Sequence, residues 1–160
     1  MKKVSTLFLK VTVILMGIPV LALCIFLVPK IADYAAVLVP DSSFIKYLVI
    51  LFFYVTAIPF YFALYQTFKL LCYIDKNKAF SEISVRHLKQ IKNCAITISI
   101  LYVAGLPLFY LIADRDDAPG VILIGLVIIF ASMVIAVFAA VLQKLLKEAI
   151  DIKSENDLTV

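Results

Sequence analysis

A single histidine, three cysteines, a short aspartate cluster and a basic run beside a phenylalanine are the reactive or recognition-capable groups of this chain. His87 stands between Arg86 and Lys89, with no cysteine or acid at ligand spacing. A tetrahedral metal site needs such partners, so no metal is expected there. Cys72 and Cys94 flank apolar runs and read as packing thiols in a reducing compartment, where a redox role would require them to be neighbours. The odd cysteine count opposes a disulfide framework. Asp114, Asp116 and Asp117 offer oxygen ligands to a cation, but their segment is short and Arg115 opposes a positive guest. No nucleophile–base set, phosphate loop or intramembrane carboxylate pair stands in the sequence. No catalytic, cofactor-binding or metal-ligating residue follows, and a non-enzymatic protein is expected.

Recognition is the stronger reading, and it centres on KLLCYIDKNKAFSEISVRHLKQIK, residues 69–92. This stretch carries six Lys/Arg (Lys69, Lys76, Lys78, Arg86, Lys89, Lys92) against Asp75 and Glu82. Phe80-Ser81-Glu82 reads as a helix start, with Ser81 as N-cap and Glu82 in the first turn. Phe80 is placed to staple onto Val85. Val85, Leu88, Ile91 and Ala95 then recur at helical spacing, with Arg86 and Lys89 elsewhere around the helix. The pattern predicts an amphipathic extension before the third apolar run. It serves either as a solvated arm against anionic lipid heads or as a protein-docking surface built from Phe80, Ser81, Glu82, Arg86, Lys89 and Lys92.

The elements that must carry this stretch lie in lipid. Of 160 residues, 64% are hydrophobic and 16% charged, and the mean hydropathy is +1.09. Soluble domains are roughly 45–50% apolar and about 25% charged. Uncharged runs cover residues 11–29, 47–68, 93–113 and 118–143, and about 20 residues of helix cross a bilayer. Apolar-all-round segments give no useful periodicity. Lipid nevertheless tolerates only helices or closed barrels, and the alternating segments of a barrel are absent. The fold expected is all-α: a single polytopic membrane domain over 1–160, with spans at about 8–28, 47–69, 92–113 and 118–143. A link at 70–91 joins the second and third spans, and residues 148–160 read as a flexible tail.

The first run resembles a signal peptide in its basic start, but Leu23 is too large for a cleavage position before Cys24, so a retained span is expected. Residues 30–46 read as an outer loop with Pro40-Asp41-Ser42-Ser43 turn chemistry and room for a short interfacial helix over 31–38. The third and fourth spans are joined only by DRDD, 114–117, which makes them antiparallel neighbours. Twelve Lys/Arg fall in the N-terminal arm, the link and the tail, against Lys30, Lys46 and Arg115 in the other loops. The positive-inside rule then places both termini in the cytoplasm, N-in and C-in.

Within the spans, Pro19, Pro59 and Pro107 each follow a small residue and an aliphatic one. They predict kinks that serve either bundle shape or a mid-membrane hinge. Gly125, Ser132, Ala136 and Ala140 read as helix-packing positions, within the bundle or between copies of a homo-oligomer. Tyr61 and Tyr102 lie deep and should hydrogen-bond inside the bundle. The absence of ionisable residues from the four runs disfavours secondary transport.

The second span AIPFYFALYQTFKLL, the link YIDKNKAFSEISVRHLKQIK and the end VLQKLLKEAIDIKSENDLTV resemble the YoaS-like bacterial integral membrane proteins, a domain of unknown function with Bacillus-type members. The family's motif of a small residue, Phe, a cap residue, Glu and a basic helix corresponds to Ala79, Phe80, Ser81, Glu82 and the run from Arg86 to Lys92. Asn77 and Ala79 stand where many relatives carry Gly and Pro. The resemblance implies no catalytic residue. Family genes often lie beside a small helix-turn-helix regulator, which implies a membrane protein that controls or sequesters a DNA-binding partner without touching nucleic acid itself. The expected location is the bacterial cytoplasmic membrane, with the lipid bilayer as one partner. A small transporter or channel component, or an immunity or envelope-stress factor, is the alternative.

Overall fold

The computed structural model describes residues 2–158, with side chains from residue 4 onward. Met1, Thr159, Val160 and the side chains of Lys2 and Lys3, which enter the charge count, lie outside the described residues. All elements found in the described residues are helices. The first rod comprises α1 (Lys2–Ala22), a π-helical turn (Leu23–Leu27) and α2 (Val28–Leu38). It is followed by α3 (Ile45–Asp75), α4 (Glu82–Asp116) and α5 (Gly120–Leu158). Four helices, Val4–Leu38, Ile45–Asp75, Glu82–Asp116 and Gly120–Leu158, are long and apolar enough to cross a membrane. The all-α fold with four candidate spans is therefore as expected.

The helices outrun the apolar runs that announced them. At 1.5 Å per residue the shortest, α3 with 31 residues, is about 46 Å long, against a hydrocarbon core of about 30 Å. Residues 30–38, expected as outer loop with room for a short interfacial helix over 31–38, are helical and continue the first rod, so the connection to α3 shrinks to residues 39–44. No helix breaker stands between Pro29 and Pro40, and Ala32 and Ala35 give α2 a small face that is buried. The charges of Lys30 and Asp33 marked a change of solvent there, not a change of backbone. At the other turn α4 runs on to Asp116, Asp117 takes a left-handed φ of 52°, and α5 starts at Gly120. Residues 148–158, read as a flexible end, extend α5 as helix and are exposed from residue 151 on.

The π turn has a local chemical cause. Val28 N–H bonds to Leu23 C=O, one residue beyond α-helical reach. In that register the next donor would be residue 29, a proline with no N–H. The carbonyl it would have served is Cys24, and the Tyr54 hydroxyl of α3 donates to that oxygen at 2.9 Å. One turn pair deeper, Tyr61 donates to Gly17 C=O at 2.8 Å. Two tyrosines of α3 thus tie down the first rod, where hydrogen bonds face no competition from water.

The helices form an open row. Packing pairs α3 with α1 and α2 on one side and with α4 on the other, while α2 also reaches α4; among the described residues α5 packs against α4 alone. The main core, Ala32, Ala35, Val39, Ile45 and Val49, lies at the α2–α3 connection, with Phe53, Leu108 and Ile112 packed against it. Gly105 lies where α4 meets α3, and a Cβ there would run into the Phe52 ring. Phe52 in turn meets Phe53, Tyr102 and Phe109 edge-on. Along the α4–α5 seam, Gly125, Ser132 and Ala136 are buried, and the Ser99 hydroxyl donates to Ile129 C=O at 3.1 Å. Large side chains such as Phe8, Phe130 and Phe138 remain mostly exposed, a surface whose natural solvent is lipid. Pro19, Pro59 and Pro107 each stand inside an uninterrupted helix.

Candidate functional site

The link is a tight, fully capped turn. Helix α3 ends in a Schellman motif: Lys78 N–H bonds to Tyr73 C=O at 2.9 Å and Asn77 N–H to Ile74 C=O at 3.1 Å. Asn77 takes the left-handed conformation, φ 58°, that this motif requires. Asparagine is the commonest stand-in for glycine there, so the turn survives without Gly. Ser81 then caps α4 in extended geometry, its hydroxyl accepting from Ser84 N–H at 3.4 Å and donating to Lys78 C=O at 2.7 Å. The buried Ser84 hydroxyl also donates to Lys78 C=O. These bonds leave the start of α4 little local freedom.

Residues of the proposed docking set separate into two groups. Phe80, Glu82, Arg86 and Lys89 are exposed, and 82, 86 and 89 follow helical spacing along one face. Ser84, Val85 and Leu88 are buried on the opposite face. Ser81 is half-buried in its capping role. Phe80 keeps 57% of its surface open, too much for the staple onto Val85 to bury it. Lys92 is half-buried and lines a groove between α4 and α5 together with Ala136 and Ala140.

Beneath the link lies a polar layer that sequence reasoning missed. Lys10 of α1 and Asp75 at the end of α3 form an ion pair at 2.5 Å. His87 Nδ1 meets Gln66 Oε1, and its ring lies 5.4 Å from the Tyr73 ring. With the amide oxygen accepting, Nδ1 carries the proton and Nε2 is the bare nitrogen, which is buried without a partner. Burial, then the nearby charges of Lys69 and Arg86, push the His87 pKa below its usual value. A partial signal was available: Asp75 is an acid within a basic link, and Lys10 ends the N-terminal basic arm on the side expected for that link.

The opposite end uses its charges internally. Tyr34 donates to Asp116 at 2.5 Å, Lys46 pairs with Asp33 at 2.8 Å, and Arg115 approaches Asp41 at 3.8 Å. The hydrogen bond and charge of Asp33 raise the Lys46 pKa. Among the described residues no group of three His, Cys, Asp or Glu side chains converges to hold a metal ion, and the three cysteines are free thiols.

Four long apolar helices in a row, with charged connections at either end, define a multi-pass helical membrane protein. The chain belongs to the family described as "Protein of unknown function (DUF2975)", whose model matches residues 30–160. It is 75% identical over 160 residues, all of both chains, to "Uncharacterized membrane protein YoaS" of Bacillus subtilis (strain 168). The resemblance carried by the link and the tail is thus correct. No solved structure matches the chain.

Proposed function

We propose that this protein is a non-enzymatic partner of a cytoplasmic protein in the bacterial cytoplasmic membrane, with both termini and the link on the cytoplasmic side. The observation that carries the reading is the start of α4. It is doubly capped, buried on one side through Ser84, Val85 and Leu88, and open on the other through Phe80, Glu82, Arg86 and Lys89. A preorganised surface with one aromatic, one acid and two cations binds a folded partner without first ordering a loop. The positive-inside rule favours this side for the twelve-cation end. A small helix-turn-helix regulator is the partner favoured by the family resemblance.

The test is recovery of such a regulator with the membrane protein purified in mild detergent. Arg86→Glu combined with Lys89→Glu should abolish recovery while membrane insertion stays unchanged. Undiminished recovery with the double variant would remove the link as the docking surface.

A further inference from the structure

We propose that the groove between α4 and α5 is a binding site for an anionic glycerophospholipid, one acyl chain lying in the groove and the lipid phosphate resting on Lys92. The groove holds about 480 Å³. Its walls are apolar, including Ile96, Val103, Met133 and Val137, and Lys92 and Ala140 stand at one end. It exists because Ala136 and Ala140 present only methyl groups where α5 faces the larger residues of α4.

Two observations select the occupant. Along α4, Lys92 to Val103 rises about 16 Å, close to half the roughly 30 Å hydrocarbon thickness. The groove therefore has the depth of one leaflet, with its cation at the headgroup level. Secondly, Lys92 is the one charged residue among those lining the groove, and no acid lies within ion-pair distance of it among the described residues. Lys92 lines the end of an apolar slot and is half-buried as a residue, and from there a flexible lysine can carry its ammonium to a phosphate whose acyl chain fills the slot. A zwitterionic lipid fills the slot equally well but brings its own cation to this end. This inference stands apart from the protein-docking reading, which uses the exposed face of α4.

The experiment is native mass spectrometry of the full chain released from nanodiscs holding equal amounts of phosphatidylglycerol and phosphatidylcholine with identical acyl chains. Retained phosphatidylglycerol should exceed phosphatidylcholine by about fivefold, the preference expected of one lysine at a headgroup. Lys92→Gln should abolish that preference, and Lys153→Gln, on the exposed tail, should keep it. Ala140→Leu, which fills the slot, should lower retention of both lipids. Equal retention of the two lipids by the unmodified protein, or an undiminished preference in Lys92→Gln, would overturn the proposal. A disulfide between two copies of an Ala140→Cys variant that forms in place of lipid retention would also overturn it, because a second copy would then occupy the groove.

Discussion

The two ends of the helix row solve the same problem in opposite ways. Both must terminate apolar helices and place charges near lipid. At the α2–α3 end, five buried residues form a core cluster, and Asp33, Asp41 and Asp116 each meet a partner on another segment. At the link end Leu71, Val85, Leu88 and Ala95 are buried as well, but Arg86 and Lys89 are turned outward from a helix start that is itself firmly capped. One end spends its polar groups on holding the fold together. The other fixes its backbone with caps, pairs Lys10 with Asp75 beneath them, and leaves Arg86 and Lys89 exposed. The proposed function asks for this division, with recognition assigned to the basic end.

Substitutions at the two ends should therefore differ in kind. The largest expected effect is at the structural end and the helix row it anchors. Ala32 is fully buried, and Ala32→Leu should destabilise by about 1–3 kcal/mol through overpacking. Gly105→Ala, whose methyl would meet the Phe52 ring, should fall in the same range of about 1–3 kcal/mol. Unfolding of the detergent-solubilised protein by increasing SDS reads both. Next comes the tyrosine that completes the π turn. Tyr54→Phe leaves the Cys24 carbonyl without its donor and should reduce stability by roughly 0.6–1.7 kcal/mol, the range for interhelical hydrogen bonds in membranes.

At the link end, acid should act through His87. Its pKa is lowered in the folded protein, so the unfolded chain binds the proton more readily. The stability that depends on neutral His87 is complete above the unfolded pKa of 6.5 and is lost as pH falls below it. A thermal scan series from neutral to mildly acidic pH should show a fall in the unmodified protein that is smaller in His87→Gln. The smallest effect belongs to Arg86→Glu, an exposed change that should alter stability by no more than about 0.5 kcal/mol. A large stability loss there would dissolve the contrast between the ends.

Much of this architecture was legible in the residues. Four uncharged runs required four helices because lipid leaves the backbone no other partner, and Ser81 announced the α4 cap by residue type and position. Helix ends were less legible. Lys30 and Asp33 marked an approach to water, yet helix persists to Leu38 because charge does not stop a backbone that has no breaker. Nor does hydropathy specify neighbours. The open row, the solitary contact of α5 with α4, and the pairing of Lys10 with Asp75 across the first and second spans arise from side-chain shape and long-range charge. Pro29 stood in plain view, but its consequence needed a tyrosine from another helix to be seen. The link's cations were read as one set; helical spacing and the neighbouring α5 put Lys92 in the groove and left Arg86 and Lys89 outside.

Cysteine accessibility in intact cells gives the most direct test. Starting from a chain with Cys24, Cys72 and Cys94 replaced by serine, single cysteines go at Glu82 in the link and at Asp41, whose side chain is 81% exposed at the other end. A membrane-impermeant maleimide should label Asp41→Cys in intact cells and Glu82→Cys only after the membrane is opened. Labelling of Glu82→Cys in intact cells would put the basic end outside and contradict the proposed recognition of a cytoplasmic protein.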